Sequence, residues 1–183
     1  MMPRLIGLMG YAGAGKSEVA RHLCAAHGFE APHIKAPFAA MFATLLREIG
    51  YGEEMIARII DGDLKREIVP ELGVTSTQVQ QDLGTAFGRN CIRPTIWLDL
   101  WCAKVDRMLA AGTPVVLESC RFALEADAIK TRGGVLVEIR RPGVGPANGH
   151  ESERVPALAD FVLHNDGTLD DLRARADRLV RPG

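Results

Sequence analysis

Leu5-Ile6-Gly7-Leu8-Met9, followed at once by Gly10-Tyr11-Ala12-Gly13-Ala14-Gly15-Lys16-Ser17, sets the reading of the whole chain. Five apolar residues suit a buried strand, and Val19, Ala20, Leu23 and Cys24 then recur at helical spacing until Gly28. The glycine-rich octet therefore joins a strand to a helix, and it satisfies GxxxxGK(S/T) in the context that pattern needs. Glycines let the backbone curl with its N–H groups inward, and the helix N-terminus adds its positive dipole end at the same place. Gly10, Ala12, Gly13, Ala14, Gly15, Lys16 and Ser17 are expected to hold a polyphosphate. Lys16 would reach the β and γ phosphates, and the Ser17 hydroxyl would complete a Mg²⁺ shell made otherwise of phosphate and water oxygens. The implied ligand is a nucleoside triphosphate with magnesium.

Outward from this loop, strand-length apolar runs alternate with helical segments, which indicates an α/β fold. Five buried strands are expected, at residues 5–9, 29–34, 114–117, 135–139 and 161–164. Phe38, Met41, Phe42, Leu45, Leu46 and Ile49 make a second helix that stops at Gly50. The next sixty residues carry helical patterns and no convincing strand. Thr75 with Gln78 suits a capping box, and Val79, Leu83 and Phe87 follow in one stripe to Gly88. Pro94 suits a first helical turn, and Trp97, Leu100, Trp101, Val105, Met108 and Leu109 form the next apolar face. The chain thus divides into a core of about residues 1–50 and 113–183, a helical insertion at about 51–112, and a Gly- and Pro-rich flap at about 140–156. Thr168 opens the last helix, with Asp170 and Asp171 at its positive end.

The 183 residues, 47% hydrophobic and 25% charged, make one domain with a core large enough to stand without staples. Twenty-two Lys and Arg against 23 Asp and Glu leave a formal charge of −1, which excludes the broad cationic field of a nucleic-acid coater. The first apolar run is too short for a signal core or a membrane span, so the expected location is cytoplasmic, with no membrane partner. Cys24, Cys91, Cys102 and Cys120 show no CxxC spacing and read as reduced thiols. His22, His27, His33, His150 and His164 lack zinc-site spacing and read as ordinary residues.

An NKxD guanine reader is absent, which weakens a GTPase reading. Only Glu118-Ser119 follows the run at 115–117, where a motor-type ATPase usually carries an acidic pair. A small kinase needs a compact phosphate-loop core, a helical acceptor-binding insertion and an arginine-bearing flap, and this chain has that layout.

Further segments resemble the deoxynucleoside monophosphate kinase family of tailed bacteriophages and prophages, a branch of the P-loop nucleotide kinases. They are Gln81-Asp82-Leu83-Gly84-Thr85-Ala86-Phe87-Gly88-Arg89 with Trp97, Arg121-Phe122 with Glu125-Ala126, and the run from Gly133-Gly134 to Arg140-Arg141-Pro142. His150-Glu151-Ser152-Glu153, Asp160 and Asn165-Asp166-Gly167-Thr168-Leu169 continue the order. The resemblance implies a three-layer α/β/α P-loop fold with a five-stranded parallel sheet, and ATP as donor to a deoxynucleoside 5′-monophosphate. A homodimer is compatible with it, and the residues leave oligomeric state open.

Under this resemblance Lys16, Arg121 and Arg141 are the catalytic candidates, and Asn165 and Gly167 hold the adenine side of ATP. Lys65, Arg89, Trp97 and Arg121 face the acceptor, Arg89 as a clamp on its phosphate. The alternatives beside them are a solvated Arg89, an Arg121–Glu125 ion pair, a surface Lys65, a core Trp97, and a plain turn at Asn165-Asp166-Gly167. Ser17 and Glu118 are the metal candidates. The chain departs from the family pattern at three places. Ser119 stands where an acidic residue is usual, so Glu118 would replace it from one position earlier; Thr75-Ser76-Thr77 stands for Thr-Pro-Arg; and Ala86 stands for Glu. Two other readings stay open, a dephospho-coenzyme-A-kinase-like enzyme and a noncatalytic nucleotide-binding protein.

Overall fold

The computed structural model describes residues 3–145 and 158–181. In chain order its elements are β1 (Leu5–Met9), α1 (Lys16–His27), α2 (Ala36–Ile49), α3 (Glu53–Ile60), β2 (Ile68–Val69), β3 (Val74–Thr75), α4 (Ser76–Gln81), α5 (Ile96–Ala110), β4 (Val115–Leu117), α6 (Ala123–Thr131), β5 (Val135–Arg140), β6 (Phe161–His164) and α7 (Leu169–Leu179). A 3₁₀ turn spans Asp63–Arg66, and a π-helix continues α4 over Asp82–Ile92. Residues 1–33 with 102–183 form one compact unit, and residues 34–101 form a second. The second unit takes in α2, which the sequence places with the core. The expected flap lies mostly in residues 146–157, with His150, Glu151, Ser152 and Glu153, outside the described residues.

The first unit is built on a parallel sheet of order β4-β1-β5-β6. Every residue of β1 is buried, as a central parallel strand requires. Ile6, Leu8, Val116, Val137 and Ile139 of the sheet pack with Val19 and Leu23 of α1 and Leu172 and Ala176 of α7. Each of these Val, Leu and Ile side chains contributes about 1.5–3 kcal/mol on leaving water.

The sheet has four strands, not the expected five. The run at 29–34 supplies one bridging residue: Glu30 N–H donates to the Pro114 carbonyl, and Val116 N–H donates to the Glu30 carbonyl, both at 2.9 Å. The next donor of a parallel ladder would be residue 32. That residue is proline, which has no N–H, so pairing ends after one residue.

In the second unit Phe42 and Leu46 of α2 pack against Ile56, Ile59 and Ile60 of α3 and Val69 of β2. Two strands occur where none is expected, the two-residue antiparallel pair β2–β3. The Thr75 cap forms, its hydroxyl accepting from Gln78 N–H, but the Gln78 side chain donates to Asp82 instead of closing the box. The helix also runs past Gly88 to Ile92, with Arg93 N–H bonded back to the Gly88 carbonyl. Bonding at i→i+5 turns the stripe, so Val79 and Leu83 pack inward while Phe87 lies exposed.

Candidate active site

The loop between β1 and α1 holds its shape through glycine. Gly10, Gly13 and Gly15 have φ of 127°, 80° and 111°, in the left-handed region. A Cβ on Gly10 would stand 2.5 Å from the Ile139 carbonyl oxygen, and one on Gly15 would stand 2.7 Å from Asn165 Nδ2. Ala14 N–H donates back to the Tyr11 carbonyl at 3.2 Å, closing the bend, and Ala12 and Gly13 are exposed at its tip. Gly15 caps α1 without a side-chain bond, and the first-turn N–H groups of a helix have no intrahelical partner. An anion fits such a helix start.

Around this bend the fold gathers most of the expected residues. The Lys16 ammonium donates to the Gly10 and Tyr11 carbonyls at 2.8 Å each. Its pKa lies below the usual lysine value, first because burial disfavours the charge and second because Arg121 is close, with Glu118 opposing. The Ser17 hydroxyl donates to a Glu118 carboxylate oxygen at short range, and His33 Nε2 lies 3.9 Å from the other. Arg141 donates to the Gly13 carbonyl at 3.2 Å, and the Asn165 amide donates to the Ala14 carbonyl at 2.8 Å.

Glu125 accepts from the backbone N–H groups of Arg121 and Phe122, while the Arg121 guanidinium donates to Ser119 Oγ at 2.9 Å. Gly167 lies at the entry to α7, where Thr168 and Asp171 exchange hydrogen bonds. A cavity of about 370 Å³ beside the loop is lined by Tyr11, Ala14, Glu138, Arg140, Arg141 and Val144, with Arg140 held by both Glu138 oxygens.

The other candidates share a cavity within the second unit, of about 330 Å³. Lys65, Arg89 and Trp97 line it together with Lys35, Phe38 and Gln81. Trp97 is buried, donates Nε1–H to the Gly84 carbonyl at 2.7 Å and meets Phe38 edge to face at 5.1 Å. It is a core residue whose indole forms a wall of the cavity. Buried Gln80 donates to the Ile60 carbonyl and to Ser76 Oγ, which fixes the start of α4. Lys35, ion-paired with Asp61, and Phe38 were missed in the sequence; the only signal was their place just after the second apolar run. No described helix is long and apolar enough to cross a membrane.

No family model matches the chain. The chain is similar to a protein of Acanthamoeba polyphaga mimivirus that bears a provisional deoxynucleotide monophosphate kinase name, at 31% identity over 91% of each chain. It is similar at 21% identity to the dephospho-CoA kinase of Chlorobaculum tepidum, over 98% of this chain and 95% of that one. Among solved structures, an unliganded Janibacter sugar kinase gives a TM-score of 0.49 at 18% identity over 97% and 94% of the two chains. The shikimate kinase of Aquifex aeolicus gives 0.49 at 14% over 93% and 92%.

Proposed function

The chain belongs to the deoxynucleotide monophosphate kinase family of P-loop nucleotide kinases, and we propose that it transfers a phosphoryl group from ATP to a deoxynucleoside 5′-monophosphate, giving the diphosphate and ADP. The observation that carries the acceptor is the cavity of the second unit. Lys35, Lys65 and Arg89 offer fixed positive charge for a phosphate dianion, and the Phe38 and Trp97 rings offer apolar aromatic lining with the Gln81 amide beside it. Its volume of about 330 Å³ is at the small end of ligand cavities, as a mononucleotide requires.

The donor side rests on the loop after β1. The places where a Cβ on Gly10 or Gly15 would collide are those where backbone approaches backbone and amide, leaving the bend for phosphate oxygens. Ser17 and Glu118 present hard oxygen donors, which suit a hard cation such as Mg²⁺. When bound there, Mg²⁺ neutralises charge on the phosphate oxygens. Lys16 leaves its carbonyl partners for the phosphates, and Arg121 and Arg141 add the positive charge that the transferring group needs. Asn165 sets the loop from its far side through Ala14.

The similarity to a dephospho-CoA kinase supports a second acceptor, so the test includes it. ADP release is followed with ATP alone, with each of the four common dNMPs, and with dephospho-coenzyme A. At least one dNMP is expected to raise ADP release far above the ATP-only rate, and Arg89→Lys to raise the KM for that dNMP by about tenfold through loss of two-point contact. Stimulation by dephospho-coenzyme A alone would establish the second acceptor instead. ATP binding without turnover on any acceptor would overturn both.

A further inference from the structure

We propose that His22, His27 and Asp177 form a binding site for a divalent transition-metal cation of the zinc class, which clamps α1 to α7. The site lies within the first unit and is separate from the phosphate loop. His22 and His27 stand on the second half of α1, and Asp177 stands on α7, 150 residues further along the chain than His27.

Both imidazoles turn Nε2 toward the same atom: Asp177 Oδ1 is 2.6 Å from His22 and 2.7 Å from His27. The rings meet edge to face with centroids 5.9 Å apart, and one nitrogen from each ring and a carboxylate oxygen all fall within 4.8 Å of one another. A tetrahedral ion with bonds of about 2.0–2.1 Å holds its ligand atoms roughly 3.4 Å apart. Each histidine–carboxylate contact has to open by less than about 1 Å to admit it. The side chains are 17%, 23% and 25% exposed, which leaves an approach from solvent and a place for a water ligand.

The charge pattern sets this cluster apart from other carboxylates on the same two helices. Glu18 is held by Arg173 and Arg21, and Asp170 by Arg173. Asp177 faces the two imidazoles, and hydrogen bonds from His27 and then His22 hold its carboxyl below the usual range. A carboxylate that already faces two imidazole nitrogens, with no guanidinium paired to it among the described residues, is a ready ligand set. Two nitrogens and one oxygen suit Zn²⁺, Co²⁺ or Ni²⁺ and disfavour Mg²⁺, which takes oxygen ligands. The spacing in the sequence gives no hint of it, because the third ligand arrives only when α7 packs on α1.

The test is a calorimetric titration of ZnCl₂ into the full-length, chelator-treated protein, with excess MgCl₂ present to occupy oxygen-only sites. One Zn²⁺ per chain is expected, with binding weakened by about tenfold or more in each of His22→Gln, His27→Gln and Asp177→Asn. In the unmutated protein, Zn²⁺ is expected to shift the ring resonances of His22 and His27 and to leave those of His33 and His164 in place. Absence of saturable binding, binding unchanged by all three substitutions, or unmoved His22 and His27 resonances would each overturn the proposal.

Discussion

Under the proposed function, Glu118 and Ser119 would divide the work of one acidic position. Because β4 ends at Leu117, Glu118 is free of strand alternation and its carboxylate reaches the Ser17 hydroxyl, while Ser119 Oγ receives the Arg121 guanidinium. A carboxylate is thus present beside the serine that follows Lys16, supplied from one residue earlier than usual. Glu118→Gln keeps the shape and removes the charge. It is expected to lower kcat by roughly 10- to 100-fold and to raise the Mg²⁺ concentration needed for half-maximal rate. Ser119→Ala removes only a support of Arg121 and is expected to change kcat by no more than about tenfold, the scale of one hydrogen bond, with the Mg²⁺ requirement unchanged. Steady-state rates across a magnesium series decide the matter. An unaffected Glu118→Gln would remove Glu118 from the metal side of the site.

At the scale of elements, the π-helix after α4 shapes the cavity proposed for the acceptor. Gly84 packs on Phe38, and Gly88 lies so close to the Trp97 indole that a Cβ there would occupy the ring's space. Gly88→Ala is expected to push Trp97 off the Gly84 carbonyl and cost about 2–4 kcal/mol, through overpacking and one lost buried hydrogen bond. Thermal unfolding together with the KM for the acceptor checks this, since a fall in Tm without a change in KM would detach Trp97 from the cavity. The same element shows where the sequence stops being readable. The loop at 10–17 is legible because its geometry follows from local glycines and its two flanking elements. The i→i+5 winding at 82–92 is not, because Gly84 and Gly88 acquire their meaning only from Phe38 and Trp97 packed against them. The lost fifth strand was legible in principle, since Pro32 sits where the ladder needs a donor. Lys35 and Phe38, and the meeting of His22, His27 and Asp177, depend on long-range packing that no spacing encodes.

Across the first unit, carboxylates tie elements distant in sequence, and this sets how the whole protein responds to acid. Asp160 accepts from Lys130 on α6 and from the Leu136 N–H on β5, both at 2.7 Å, and so fixes the entry to β6. Burial pushes its carboxyl up, but these hydrogen bonds outweigh burial and its pKa lies below the ordinary value. Glu18, through Arg173 foremost, and Asp177, through His27 and His22, are likewise lowered. A group whose pKa is lower folded than unfolded stabilises the protein fully above its unfolded value, roughly pH 4, and loses that contribution as pH falls through its folded value. Thermal stability is therefore expected to fall steeply below about pH 4. Asp160→Asn is the specific check, because asparagine keeps the shape and an acceptor oxygen for the Leu136 N–H but carries no charge for Lys130. Unfolding curves over a pH series should show the variant less stable than the natural chain at neutral pH, with the gap narrowing as pH drops below about 4. A gap that stays constant down to about pH 2.5 would mean that Asp160 acts through shape alone and that its ionisation contributes nothing to the fold.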